Sequence, residues 1–134
     1  MDPTDEDYER LLGFRDTLRQ FLRWSEERAA EAGLTPAQHQ LLLVVRGCGD
    51  PRGPTVRDVA DHLLLRHHSV VGLVDRCVAA GLVRRVPDPA DHRVVRLRLT
   101  RLGAGRIRRL TAATLEELRR LAPAIARLGG TLPL

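Results

Sequence analysis

The 134 residues, 43% hydrophobic and 29% charged, have the size and balance of one globular domain, residues 1–134, which excludes a multidomain enzyme. No apolar run approaches the ~18 to 20 residues of a membrane span, and the start Met1-Asp2-Pro3-Thr4-Asp5-Glu6-Asp7 is acidic where a secretory signal is basic. A cytoplasmic protein without membrane contact is expected. All 22 basic residues are Arg, so the Schiff-base and P-loop chemistries that need a lysine are excluded.

Charge is distributed unevenly. Residues 1–45 carry 5 Arg against 9 acidic residues, and residues 46–109 carry 14 Arg against 6. An excess of Arg alone says little in an Arg-only composition; its concentration in the middle of the chain points to an anionic partner for that segment. Cys48 and Cys77 lie 29 residues apart, too few and too far apart for a disulfide framework or a four-thiolate zinc site. No cofactor and no metal site are expected.

In chain order, Leu11, Phe14, Leu18, Phe21, Leu22, Ser25 and Ala29 recur at helical spacing, so roughly residues 6–31 read as a long amphipathic helix ended by Gly33. Thr35-Pro36 supplies an N-cap and a first-turn proline for a second helix carrying Leu41 to Val45. The segment Gly47 to Pro54 is rich in Gly and Pro and forms a loop. Thr55-Val56-Arg57-Asp58 is a capping box with Asp in place of Glu, opening a short third helix to about residue 64. After Leu65 and Arg66 a fourth helix runs to Ala80 and stops at Gly81. Val70, Leu73, Val74, Cys77 and Val78 mark its core face, and His68, Gly72, Asp75, Arg76 and Ala79 the opposite one.

Leu82 to Val86 and Val94 to Leu99 read as two strands joined by the polar tip Pro87 to Arg93. Val95, Leu97 and Leu99 fall on one face of the second strand, Arg96 and Arg98 on the other. Thr100 can cap a last helix with Ile107, Leu110, Thr114, Leu118, Leu121, Ile125 and Leu128 at core spacing, which Pro123 either kinks or interrupts. Mainly α, with three short helices followed by a two-stranded β-hairpin, is the order of a winged helix-turn-helix. In that fold the second helix of the pair enters the major groove and the hairpin reaches the backbone or minor groove. The basic segment covers that module.

Three motifs in order carry a family resemblance: Leu34-Thr35-Pro36-Ala37-Gln38; Leu73-Val74-Asp75-Arg76 followed by Gly81-Leu82-Val83; and Asp88-Pro89-Ala90-Asp91-His92-Arg93 running into Leu97-Arg98-Leu99-Thr100. Over about residues 8–120 the chain resembles the MarR (multiple antibiotic resistance regulator) family, although its Gly47 to Pro54 loop is longer than usual there. The resemblance implies a homodimeric transcriptional regulator. Residues 8–31 and 101–128 would be long N- and C-terminal dimerisation helices, and residues 35–100 the lobe that binds double-stranded DNA.

Arg93 matches the family's wing arginine, and a planar cation suits the focused potential of a narrow minor groove. The alternative is a solvated loop arginine paired with Asp91, and the pair can serve both ends if Asp91 orients it. Arg57, Arg66, His67, His68, Ser69, Gly72, Arg76 and Arg96 complete the expected DNA-binding set; for Arg76 an ion pair within the lobe is the competing reading. His67 and His68 point ~100° apart on a helix and do not share an ion easily. Phe14, Phe21, Trp24 and His39 are read first as dimer and lobe packing; the alternative, as in ligand-responsive relatives, is that they line a pocket for a small-molecule effector. A winged-helix protein-interaction module without DNA binding is the alternative function.

Overall fold

The computed structural model describes residues 1–129. Five helices and one hairpin follow in the order α1 (Asp5–Glu31), α2 (Pro36–Gly47), α3 (Val56–Leu63), α4 (His67–Ala79), β1 (Val83–Pro87), β2 (Val95–Leu99) and α5 (Arg101–Gly129). Each of the first three helices opens on a reciprocal capping box, at Thr4 with Asp7, Thr35 with Gln38 and Thr55 with Asp58. The box at Thr4 starts α1 one residue earlier than its apolar periodicity indicates. Proline 123 lies inside α5, and the helix continues past it to Gly129.

The core is built at the junction of α2, α4 and the hairpin, with Ala29 from α1, Val59 from α3 and Ile107 and Leu110 from α5. Leu41, Leu42, Leu73, Leu82, Leu97 and Ile107 are almost completely buried, together with Val59, Val70, Val74 and Cys77. Removing each such aliphatic side chain from water stabilises the fold by roughly 1.5–3 kcal/mol. Burial pushes the Cys77 thiol up to about 11, which leaves it a protonated core side chain at neutral pH. Val78, expected on the same stripe, sits at the margin of α4 and is 36% exposed.

The strands are antiparallel, with Val83 opposite Leu99, Arg84 opposite Arg98 and Arg85 opposite Leu97. Residues of the preceding loop extend this ribbon: Thr55 forms an isolated bridge with Arg96, and the Leu97 amide donates to the Pro54 carbonyl at 2.9 Å. A β-carbon at Gly53 would stand 2.0 Å from the Leu97 carbonyl oxygen, so only glycine lets the loop lie this close to the wing. Gly103 has the same role where α5 leaves the sheet, since a β-carbon there would meet the Leu82 carbonyl at 2.0 Å. Thr100 caps that helix start, accepting from the Gly103 amide at 3.1 Å.

The long helices pack on each other at one end of the molecule and leave much apolar surface uncovered. Tyr8, Leu11, Leu12, Phe14, Leu18 and Leu22 on α1 are exposed, as are Leu115, Leu118 and Ile125 on α5. Among the described residues no helix is long and apolar enough to cross a membrane.

Candidate nucleic-acid interface

Two features present cations to solvent: the start of α4 and the tip of the hairpin, whose β1 packs on α4. The turn entering α4 holds Leu64 in the left-handed region at φ 54 and brings Arg66 to the N-cap position without a side-chain cap. Arg66, His67, His68 and Ser69 are all exposed. The uncapped amides and dipole of this helix end favour an anion. One turn further on, Gly72 is half-buried and its missing side chain leaves room for the Arg76 guanidinium, whose Nη1 would lie 3.4 Å from a β-carbon there. Arg76 has no ion-pair partner among the described residues, so the intralobe pairing weighed for it is not formed. Asp75 takes another route and pairs with Arg85 on β1, joining α4 to the wing. Arg57 is exposed on the first turn of α3.

The wing is organised by carboxylates. Asp88, only 2% exposed, accepts from the Ala90 and Asp91 amides at 2.8 and 3.0 Å through Oδ1, and from Arg96 Nε at 2.8 Å through Oδ2. The two backbone donors and the Arg96 guanidinium hold its carboxyl below the usual carboxylate range. Asp91 repeats the device one turn later. It accepts from the Arg93 amide at 3.1 Å and, in a two-point pair, from Arg93 Nε and Nη2 at 3.0 and 3.1 Å. The Arg93 side chain is nevertheless 91% exposed. The two readings of this arginine therefore coexist: it is paired with Asp91, and its remaining donors face outward.

Arg96 departs from its expected place on an open face. Its side chain is 12% exposed, bound to Asp88, donating to the Gly53 carbonyl at 3.2 Å and standing 3.6 Å from Asp50. The loop from Gly47 to Pro54 covers it, so Arg96 joins wing to loop and is not available at the surface. Val95 shows the converse: it alternates with buried Leu97 yet is 40% exposed, because it projects beyond the helices that cover Leu97. Asp88 was legible only as a member of the hairpin motif; an aspartate before proline at a turn signals a backbone-capping role.

The residues read as an effector pocket are only partly brought together. Phe14 and Phe21 line a groove of about 910 Å³ between α1 and the far end of α5, with Leu11, Leu18, Leu118 and Ile125. Trp24 and His39 do not line it. Trp24 stacks on Phe21 at 6.2 Å between centroids and lies under the Arg28 guanidinium at 5.7 Å. Burial lowers the pKa of His39, favouring the neutral imidazole. No group of three or more metal-ligating side chains occurs among the described residues.

Residues 32–94 match the model of the MarR family. No curated protein matches the chain. Among solved structures, a MarR family protein from Bacillus stearothermophilus is similar at 28% identity and TM-score 0.72, covering 87% of this chain and 77% of its own. CouR from Rhodococcus jostii bound to p-coumaroyl-CoA shares 25% identity at TM-score 0.66, over 89% of this chain and 77% of its own. A MepR mutant from S. aureus bound to an oligodeoxyribonucleotide has the same fold, at 20% identity and TM-score 0.69, over 91% and 84%. The helix order and two-stranded wing of this chain are those of a winged helix-turn-helix protein, and the segment from just before α2 to the wing tip is similar to the MarR family.

Proposed function

We propose that this chain is a sequence-specific DNA-binding transcriptional regulator without catalytic activity, a cytoplasmic repressor acting as a homodimer on a pseudo-palindromic operator. The observation that carries the reading is the pairing of an uncapped, cation-flanked α4 start with an outward, carboxylate-oriented Arg93 on the adjoining wing. In this arrangement α4 enters the major groove, where His68 and Ser69 meet base edges and Arg76 reaches a guanine or a phosphate, while Arg93 enters the flanking minor groove. The oligodeoxyribonucleotide held by the MepR relative supports it.

The exposed apolar faces of α1 and α5 supply the dimer contact, because single apolar residues are ordinary on a surface whereas a continuous face along two helices is not. Control by a small molecule belongs to the same reading and is supported by the ligand-bound CouR relative. The test is selection of bound fragments from genomic DNA, followed by gel shifts over a salt series. Tight, salt-dependent binding to a recurring palindrome is expected, and a folded chain that shifts no fragment would leave the protein-interaction module standing. Sedimentation should give a dimer at micromolar concentration. Leu18→Asp, which puts a charge on the uncovered face, should give a folded monomer with weakened operator binding.

A further inference from the structure

The wing has a second basic face that neither α4 nor the hairpin tip uses. Val83 and Leu97 turn inward to the core, and by strand alternation Arg84, Val86, Arg96 and Arg98 share the outer face. Arg84 and Arg98 stand directly opposite each other, an arrangement of like charges that destabilises an antiparallel pair. Nearby carboxylates do not relieve it. Asp88 is engaged by Arg96 at 2.8 Å and lies 3.5 Å from Arg52, and Asp50 holds Arg52 through a two-point pair at 3.0 and 3.1 Å. Arg98 donates to the neutral carbonyl of Pro51, and Arg84 has no partner among the described residues.

These guanidinium groups border a shallow cleft of about 330 Å³ whose walls are Pro51, Pro87, Pro89 and Val86, with Arg52 at its rim and no carboxylate in its lining. Proline offers no amide donor, so the cleft recognises its occupant through the arginines, against stiff apolar walls that strengthen charge interactions.

We propose that this cleft is a second phosphate-holding surface, in which Arg84 and Arg98 take a backbone phosphate of DNA flanking the operator. The inference rests on the DNA-binding reading above. The cleft's chemistry suits any phosphate-like oxyanion, but its place favours the duplex. Arg93 and Arg98 belong to the same hairpin, Arg93 in its turn and Arg98 on β2 away from the tip, so the cleft lies on the flank of the wing whose tip meets the duplex. A wing anchored by Arg93 at the operator's edge thus carries the cleft toward phosphates outside the sequence that α4 reads.

The experiment compares wild type with Arg84→Gln on two duplexes, the minimal selected operator and the same operator extended by about one helical turn on each side. On the extended duplex Arg84→Gln should lose about threefold to tenfold in affinity, and its slope of log K against log salt should fall by about one unit per subunit. On the minimal duplex the two proteins should be equal. Thermal unfolding should show Arg84→Gln at least as stable as wild type, since the substitution removes a repulsion and no hydrogen bond.

Inorganic phosphate forms a separate arm. A phosphate-dependent rise in melting temperature seen in wild type and lost in Arg84→Gln, with no effect of flanking DNA, would overturn the duplex assignment in favour of a free oxyanion. Equal binding by both proteins on both duplexes would overturn the inference while leaving the regulator reading intact. Failure of wild type to bind any duplex would overturn both.

Discussion

The start of α4 and the wing both offer cations to solvent, yet they hold them in opposite ways. At α4 nothing fixes the side chains: Arg66 caps without a hydrogen bond, and His67, His68 and Ser69 stand exposed. On the wing, Arg96 is clamped by Asp88 and Arg93 by Asp91, and in the loop packed against it Arg52 is clamped by Asp50. An arginine held in place before binding loses less rotamer freedom when it meets its partner, whereas a free side chain can adjust to different base edges. The wing is thus built to locate the protein on a duplex, and α4 to read it.

Removing the wing's central carboxylate should break this contrast most strongly. Asp88→Ala leaves the largely buried Arg96 without its closest anion and frees the Ala90 and Asp91 amides, so the tip loses its shape and the link of Arg96 to the Gly47 to Pro54 loop is weakened. Operator affinity should fall by more than about tenfold, with faster amide exchange confined to residues 86–96. Unchanged exchange there would refute the role of Asp88 as organiser. Arg93→Ala should follow. About tenfold in affinity and about one unit of salt slope should go, preference for A·T-rich flanks should weaken, and fold and dimer should persist. Asp91→Ala should lose less, because the cation remains while its orientation is released.

At α4 the expected change is in choice, not strength. His68→Ala or Ser69→Ala should alter discrimination at one operator position by about 1 kcal/mol, about fivefold, with non-specific affinity kept. Uniform weakening on all sequences would mean that these residues only hold the backbone.

The smallest effect sharpens the comparison through pH. Asp88 and Asp91 have lowered pKa values, by amide donation with the Arg96 guanidinium for the first and by the Arg93 guanidinium and amide for the second. Asp50 is lowered to about 2, chiefly by hydrogen bonds from Arg52. A carboxylate with a depressed folded pKa stabilises fully above its unfolded value, near 3.8, and the contribution is lost as pH falls through the folded value. The wing should therefore loosen as pH falls below about 4, seen as protease sensitivity at residues 87–94 ahead of global unfolding. The same scan in Asp88→Asn should show a smaller acid-dependent step, since only Asp91 and Asp50 then titrate.

Much of this architecture is legible in the chain because its signals are local. Thr35-Pro36 with Gln38, and Thr55 with Asp58, start helices through contacts that span only three residues. Gly33 and Gly81 end them at φ 76 and 72, which side chains rarely allow. The hairpin, its polar tip and the pairing of Asp91 with Arg93 are equally local. Only the tertiary structure decided which faces are covered. Periodicity places Arg96 beside Arg98 and Val78 beside Val74, but it carries no information about a loop that folds back some 45 residues away in sequence to bury Arg96, or about the helix margin that leaves Val78 in water. Phe14, Phe21, Trp24 and His39 were grouped by residue type, but the groove lies where α1 faces the far end of α5, which takes in Phe14 and Phe21 and leaves out Trp24 and, on α2, His39. Such juxtapositions follow from packing between distant segments, and no local spacing encodes them.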